Sequence, residues 1–328
     1  MQQFHHRERS GFTLVLGGGG ATAVAYSVGA LRALSEHAGV DSSQAKVIVG
    51  TSAGAIVAAD LRLGRSFDEI AAAVTPADGE TPGGHTAKAW RSTPDLLRRA
   101  VGSWWIMART VAPVSVRLAE PPELLQRVFP GSLFLHADRD WARNRFPAAW
   151  PEGTLWLVTS DLDNGRRVVL GAQGPLAATL PQAVQASCAV PGLYPPVRVD
   201  GRRLVDGGVH SVTNLDLAAR TRSAAVIAVA PMGFDPRNPP GSIAALMRVR
   251  FNAQIDQEGD TVRRSGAALL VLRPSGDEMR HHGINILSRQ GTDKVMAAAY
   301  ESVARRLVSA RARRVVDLIH QPVRAGRT

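Results

Sequence analysis

Three short stretches of this 328-residue chain hold residue types at spacings that can do chemistry. The first is Gly17-Gly18-Gly19-Gly20, whose bare backbone N–H groups can hold an anion where a helix begins. That anion is either a phosphate or the oxyanion formed during acyl transfer. The second, Gly50-Thr51-Ser52-Ala53-Gly54, matches G-x-S-x-G, the sharp strand-to-helix turn that lifts a serine hydroxyl above a sheet. Glycines two residues before and two after the serine suit a turn that is strained and packs closely on its neighbours. A hydroxyl there sits at a helix N-terminus, where amide dipoles favour developing negative charge. The third stretch, Asp206-Gly207-Gly208, puts a carboxylate at a strand end followed by two glycines.

Each stretch has a rival reading. Gly18, Gly20 and Ala23 fit the dinucleotide fingerprint G-x-G-x-x-[G/A], which expects an acidic residue about 20 positions on, near the end of the second strand. Here that strand ends in Gly50-Thr51-Ser52 instead. A serine hydrolase ordinarily uses a histidine oriented by an acid. Asp161, Asp163 or Asp206 followed by His210, His281 or His282 would supply the chain order of an α/β-hydrolase triad. Ser52, however, follows only the second strand, early for that fold's nucleophile, and no histidine has a context as definite as that of Asp206. Cys188, set among small residues before Pro191, reads as a buried packing thiol. His5-His6 and His281-His282 lack metal-ligand spacing, so neither a metal nor a cofactor is expected.

The elements that must position these residues can be traced along the chain. Phe12 to Leu16 is an apolar run stopping at the glycines, and Val24, Val28, Leu31 and Leu34 then recur at helical period. Val47-Ile48-Val49 leads into the serine turn, and Ala55 to Ala59 continues as a helix of small residues. Two strand-to-helix turns in the first 60 residues predict a parallel α/β sheet. Residues 75–150, rich in Pro and Gly punctuation, read as a helical cap inserted in that rhythm, with all six tryptophans (90, 104, 105, 141, 150, 156) in or just after it. Leu155 to Thr159 and Arg166 to Leu170 flank an Asp163-Asn164-Gly165 turn, and Val197 to Val199 and Arg202 to Val205 flank Asp200-Gly201, which predicts two hairpins. A helix is expected over 181–190, and buried strands over 224–230 and 267–272. The stretch between those two strands, including Met247 to Asp256, reads as a surface excursion. Val295, Ala299, Val303 and Leu307 mark one long amphipathic C-terminal helix with Arg305, Arg306, Arg311, Arg313 and Arg314 on its outer face.

Composition narrows the class. Hydrophobic residues at 45% against 20% charged residues are enough for a large core and exclude a disordered or fibrous chain. A single cysteine excludes an internal disulfide and points to the cytosol. The net charge of +11 comes from arginine, since only Lys46, Lys88 and Lys294 are lysines. It favours an anionic partner such as a phospholipid surface, while a solvated face or an arginine-biased genome would give the same composition. Residues 1–10 hold no apolar signal core, and no run of about 18 apolar residues occurs, so any membrane contact is expected to be peripheral.

Taken in order, the three motifs resemble the patatin-like phospholipase family, which shows a glycine-rich oxyanion loop, then G-x-S-x-G, then D-G-[GA]. The resemblance extends over most of residues 10–310 and includes Ala186 to Gly192 before the aspartate and Val209 to Ala218 after it. It implies a single hydrolase domain over 10–310 with the cap at 75–150 and a basic helix end and tail over 311–328. The implied fold is α/β in three layers, a mostly parallel central sheet with helices on both faces. It also implies a Ser–Asp dyad without a catalytic histidine: Ser52 as nucleophile, Asp206 as base, and the amides of Gly18, Gly19 and Gly20, with that of Ala53, as oxyanion hole. Gly17, Gly50, Gly54, Gly207 and Gly208 support the motifs. The implied substrate is a lipid or acyl ester, with no nucleic-acid partner. One departure stands out: the family's loop usually continues with Arg or Lys and another Gly, where this chain has Thr22 and Ala23. The alternative from another class is a non-catalytic lipid- or nucleotide-binding protein that retains the glycine loops.

Overall fold

The computed structural model describes residues 9–72, 74–75, 101, 141–240, 243–282 and 288–321. Strand β1 (Phe12–Leu16) enters the glycine loop and helix α1 (Gly20–Ala38), and β2 (Val47–Thr51) enters α2 (Ala53–Arg62) through Ser52. After α3 (Phe67–Ala72) and a short α4 (Trp141–Arg145) come β3 (Thr154–Asp161), β4 (Arg167–Leu170), α5 (Leu180–Ser187), β5 (Val197–Val199) and β6 (Arg202–Asp206). The chain then runs through β7 (Ala225–Val229), α6 (Ile243–Arg264), β8 (Ala268–Leu272), α7 (Gly276–Met279), α8 (Thr292–Leu307) and α9 (Ala310–His320). Most of the residues assigned to the cap, including Trp90, Trp104 and Trp105, lie outside the described residues.

One sheet carries the order β5-β6-β3-β2-β1-β7-β8, with β4 pairing β3. β1, β2, β3, β7 and β8 run parallel, while β4, β5 and β6 form the antiparallel part. β1, β2 and β7 are buried along their whole length because helices cover both faces, as parallel strands require. Phe12, Leu14, Leu16 and Ile48 join the core under α1, α2, α5 and α8, whereas Val15, Val47 and Val49 pack with Leu215, Ile255 and Val262 on the other face. α1 lies so close to α8 that a Cβ on Gly29 would stand 2.2 Å from the Met296 carbonyl oxygen. The spacing Val295, Ala299, Val303, Leu307 is the buried stripe of α8.

Both hairpins form, β3–β4 and β5–β6, and the second turns through Asp200 and Gly201 at positive φ as a two-residue loop demands. Three expectations are corrected. The stretch read as a surface excursion is the 22-residue helix α6. The helix expected over 181–190 ends at Ser187, with Cys188 as its C-cap. The single C-terminal helix is two: α8 stops at Leu307, and the Ser309 side chain caps α9 by accepting the Ala312 N–H. Among the described residues no helix is long and apolar enough to cross a membrane.

Candidate active site

Strand register brings the serine and the aspartate together. Thr51 sits beside Val158 in the parallel β2–β3 pair, and Thr159 sits beside Asp206 in the antiparallel β3–β6 pair. β6 therefore arrives from the far end of β3 and stops level with Ser52, and its next residue crosses over β3. A Cβ on Gly207 would lie 2.4 Å from the Val158 carbonyl oxygen, so only glycine allows that crossing.

Ser52 holds φ 55 and ψ −123, a conformation that costs an L-residue on the order of 1–3 kcal/mol and persists only where its surroundings dictate it. They do so from three sides. The Ser52 N–H donates to Ser187 Oγ at 2.9 Å, and that hydroxyl donates to the Val158 carbonyl at 2.7 Å. Cys188 Sγ lies 3.3 Å from the Ser52 carbonyl oxygen and donates to it. Beneath, the start of α2 presses on the end of β1: a Cβ on Gly54 would come within 2.0 Å of the Leu16 carbonyl oxygen. The end of α5 thus clamps the backbone of the turn, a role that a serine and a packing thiol do not advertise in sequence.

Asn214 is a second tie invisible to the motif reading. Held in the left-handed region, it donates from Nδ2 to Thr51 Oγ1 at 3.1 Å and to the Ser211 carbonyl at 2.7 Å, while Oδ1 accepts from Arg167 at 3.2 Å. One buried amide therefore links the residue before the serine to the segment after the aspartate. Glu258 of α6 fastens the same segment, accepting from Thr213 Oγ1 and the Leu215 N–H, each at 2.8 Å.

The four glycines divide into two pairs. Gly17 donates its N–H to the Val229 carbonyl at 2.9 Å and Gly18 to the Val212 carbonyl at 2.8 Å. The expectation that the Gly18 amide lines an oxyanion hole is therefore narrowed: that donor is already used. Gly18 serves differently, since a Cβ there would stand 2.9 Å from Ser52 Cβ. Gly19 and Gly20 take positive φ of 137 and 65, and among the described residues neither their N–H groups nor that of Ala53 donates to a protein acceptor. These three amides open α1 and α2 beside the serine.

Asp206 is buried, and desolvation raises its carboxyl to about 6, against the opposing pull of the nearby Ser52 hydroxyl and of the Gly208 N–H. The Gly208 hydrogen bond, 2.7 Å to Oδ1, also fixes the carboxylate's orientation. Among the described residues no hydrogen bond joins a histidine side chain to Ser52 or Asp206. His210 is exposed and its ring is held toward neutrality, first by desolvation and then by Arg167. His282 lies buried edge-on to Tyr26 with both ring nitrogens unpartnered, and burial drives its pKa down to about 3. The dinucleotide alternative loses the Gly18 donor, which the Val212 carbonyl takes. The arrangement that remains can attack an acyl carbon, take up a proton and hold an oxyanion.

Comparison with known proteins agrees with this class. The family model described as patatin-like phospholipase matches residues 14–219, so the chain belongs to the patatin-like phospholipase family, a family of lipid acyl hydrolases. It is 26% identical over 228 residues, 66% of this chain and 69% of the other, to the uncharacterized protein YqhO of Bacillus subtilis (strain 168). Solved structures with some likeness are VipD from Legionella pneumophila (13% identity, TM-score 0.42, 94% of this chain and 67% of that one) and the type III effector protein ExoU (18% identity, TM-score 0.38, 94% and 53%).

Proposed function

We propose that this chain is a serine lipid acyl hydrolase of the phospholipase A, lysophospholipase or carboxylesterase type, working through a Ser52–Asp206 dyad and an acyl-enzyme. Asp206 accepts the Ser52 proton as the hydroxyl oxygen attacks the ester carbonyl, and the amides of Gly19, Gly20 and Ala53 stabilise the resulting oxyanion. The carboxylic acid then returns its proton to the leaving alcohol. In the second half Asp206 takes a proton from water, whose oxygen attacks the acyl carbon, and Ser52 leaves with the proton restored.

The observation that carries this reading is the buried carboxylate beside the strained serine. A carboxylate with an ordinary pKa near 4 is a weak partner for a hydroxyl, whereas one raised to about 6 by desolvation is closer to the operating pH of a general base. Hydrolysis of p-nitrophenyl esters and of phospholipid vesicles by the wild type, Ser52→Ala and Asp206→Asn, with chromatographic identification of released fatty acid, tests it. Release by wild type alone is expected; equal release by Ser52→Ala contradicts it. The basic surface further supports peripheral action on anionic lipid.

A further inference from the structure

Outside the dyad, the sheet's β8 edge carries a cavity of about 540 Å³ between α6, α8, the start of α9 and the loop after β7. Its floor is aliphatic, with Leu270, Val271 and Leu272 of the edge strand. Among the described residues its walls hold six arginines against two aspartates. Four of the arginines have acidic partners: Arg273 with Asp256 at 2.6 Å, Arg306 with Asp235 at 3.2 Å, Arg263 with Asp260 at 2.6 Å, and Arg305 with Glu301 at 3.7 Å. Arg237 and Arg311 have none among the described residues. Arg273 is also buried, 6% exposed, yet its Nε–H has no acceptor. Two unpaired guanidinium groups beside one cavity suit an anionic ligand. The ionisation of Arg311 is lowered by desolvation and then by repulsion from Arg263, Arg237 and Arg273.

We propose that this cavity binds a compact soluble compound carrying two adjacent phosphate groups. The planar guanidinium forks of Arg237 and Arg311, both exposed at the cavity, would each grip phosphate oxygens. The volume exceeds what one phosphate fills and suits a phosphate pair with a small organic body on the aliphatic floor. Among the described residues no aromatic ring lines the cavity to stack nucleobases, which counts against a nucleic-acid strand. The site lies at the opposite end of the sheet order from β5 and β6 and shares no residue with the dyad.

The test uses the full chain with inorganic pyrophosphate and with ADP as probes, read by calorimetry and by thermal shift. Binding of pyrophosphate is expected, with a higher melting temperature in its presence. Arg237→Ala/Arg311→Ala should weaken it at least tenfold and, with the repulsion relieved, should not lower the melting temperature without anion. Arg166→Ala/Arg198→Ala, which removes the same charge at the other end of the sheet, should leave binding intact. Ser52→Ala should bind as wild type does, so the result stands apart from the catalytic reading. No pyrophosphate binding, or equal loss in both double variants, overturns the proposal. So does sedimentation on anionic vesicles that depends on Arg237 and Arg311 without any response to pyrophosphate, an outcome that assigns the patch to a lipid surface.

Discussion

Asp206 combines two consequences of one burial. Its raised pKa makes it a better base, and it costs stability. The folded protein holds that proton up to about pH 6 and the unfolded chain only to about 3.8, so the group's favourable contribution is complete below 3.8 and is lost as pH rises through 6. Asp206→Asn should therefore unfold at higher urea than wild type at pH 8, by roughly 1–3 kcal/mol, with the difference vanishing near pH 4. In activity the sign reverses. kcat/KM should fall about tenfold for each pH unit below about 6, because the protonated carboxyl cannot accept the Ser52 proton. Ser52→Ala and Asp206→Asn should each lose at least about 10³-fold in kcat, and the double variant no more, since members of one catalytic unit are not additive. A double variant much worse than either single one would separate the two residues. Ser52, Asp206 and the glycines were legible because each motif needs its residue types at fixed offsets. The division of the glycine amides was not, since the carbonyls of Val229 and Val212 that take two of them come from distant parts of the chain.

Elements decide how rigidly the proposed dyad is held. Asn214 joins the end of β2 to the turn after β6 from a left-handed backbone, so Asn214→Gly keeps the backbone conformation and removes only the amide. It should cost about 1–3 kcal/mol in denaturant unfolding for the buried partners left unpaired. It should also lower kcat more than it raises KM, whereas an unchanged kcat would make Asn214 merely structural. The hairpins and the parallel core strands could be read directly, because Asn-Gly and Asp-Gly turns and uninterrupted apolar runs are local signals. α6 could not: Pro236, Pro239 and Pro240 precede it, and Met247-Arg248-Val249-Arg250-Phe251 alternates at strand period within a helix. Its apolar positions Ile255 and Val262 are spaced one per two turns, and tertiary packing against β7 and β8 overrides the local pattern. The break between α8 and α9 was similarly hidden, since Ser309 caps a helix that the apolar period alone would continue.

At the scale of the molecule, opposing ionisations shape stability. His282, buried and neutral with a pKa near 3 against 6.5 when unfolded, contributes stability present above 6.5 and lost as pH falls towards 3. His282→Phe should accordingly show a flatter loss of stability between pH 6.5 and 4 by urea titration, and an unchanged acid limb would remove His282 from that account. The charge of +11 acts outward: turnover on anionic vesicles should exceed that on neutral ones at low salt, and the advantage should shrink between about 0.01 and 0.15 M salt as screening shortens from about 30 to 8 Å. Soluble esters should show no such dependence, and equal vesicle rates at all salts would remove the surface effect. The central claim, an acyl-accepting Ser52 activated by Asp206, is tested most directly by labelling the intact protein with a fluorophosphonate and locating the adduct by peptide mass spectrometry. The account predicts one adduct, on Ser52, absent in Ser52→Ala and formed much more slowly in Asp206→Asn. An adduct on another residue, or undiminished labelling of Ser52→Ala, would contradict it.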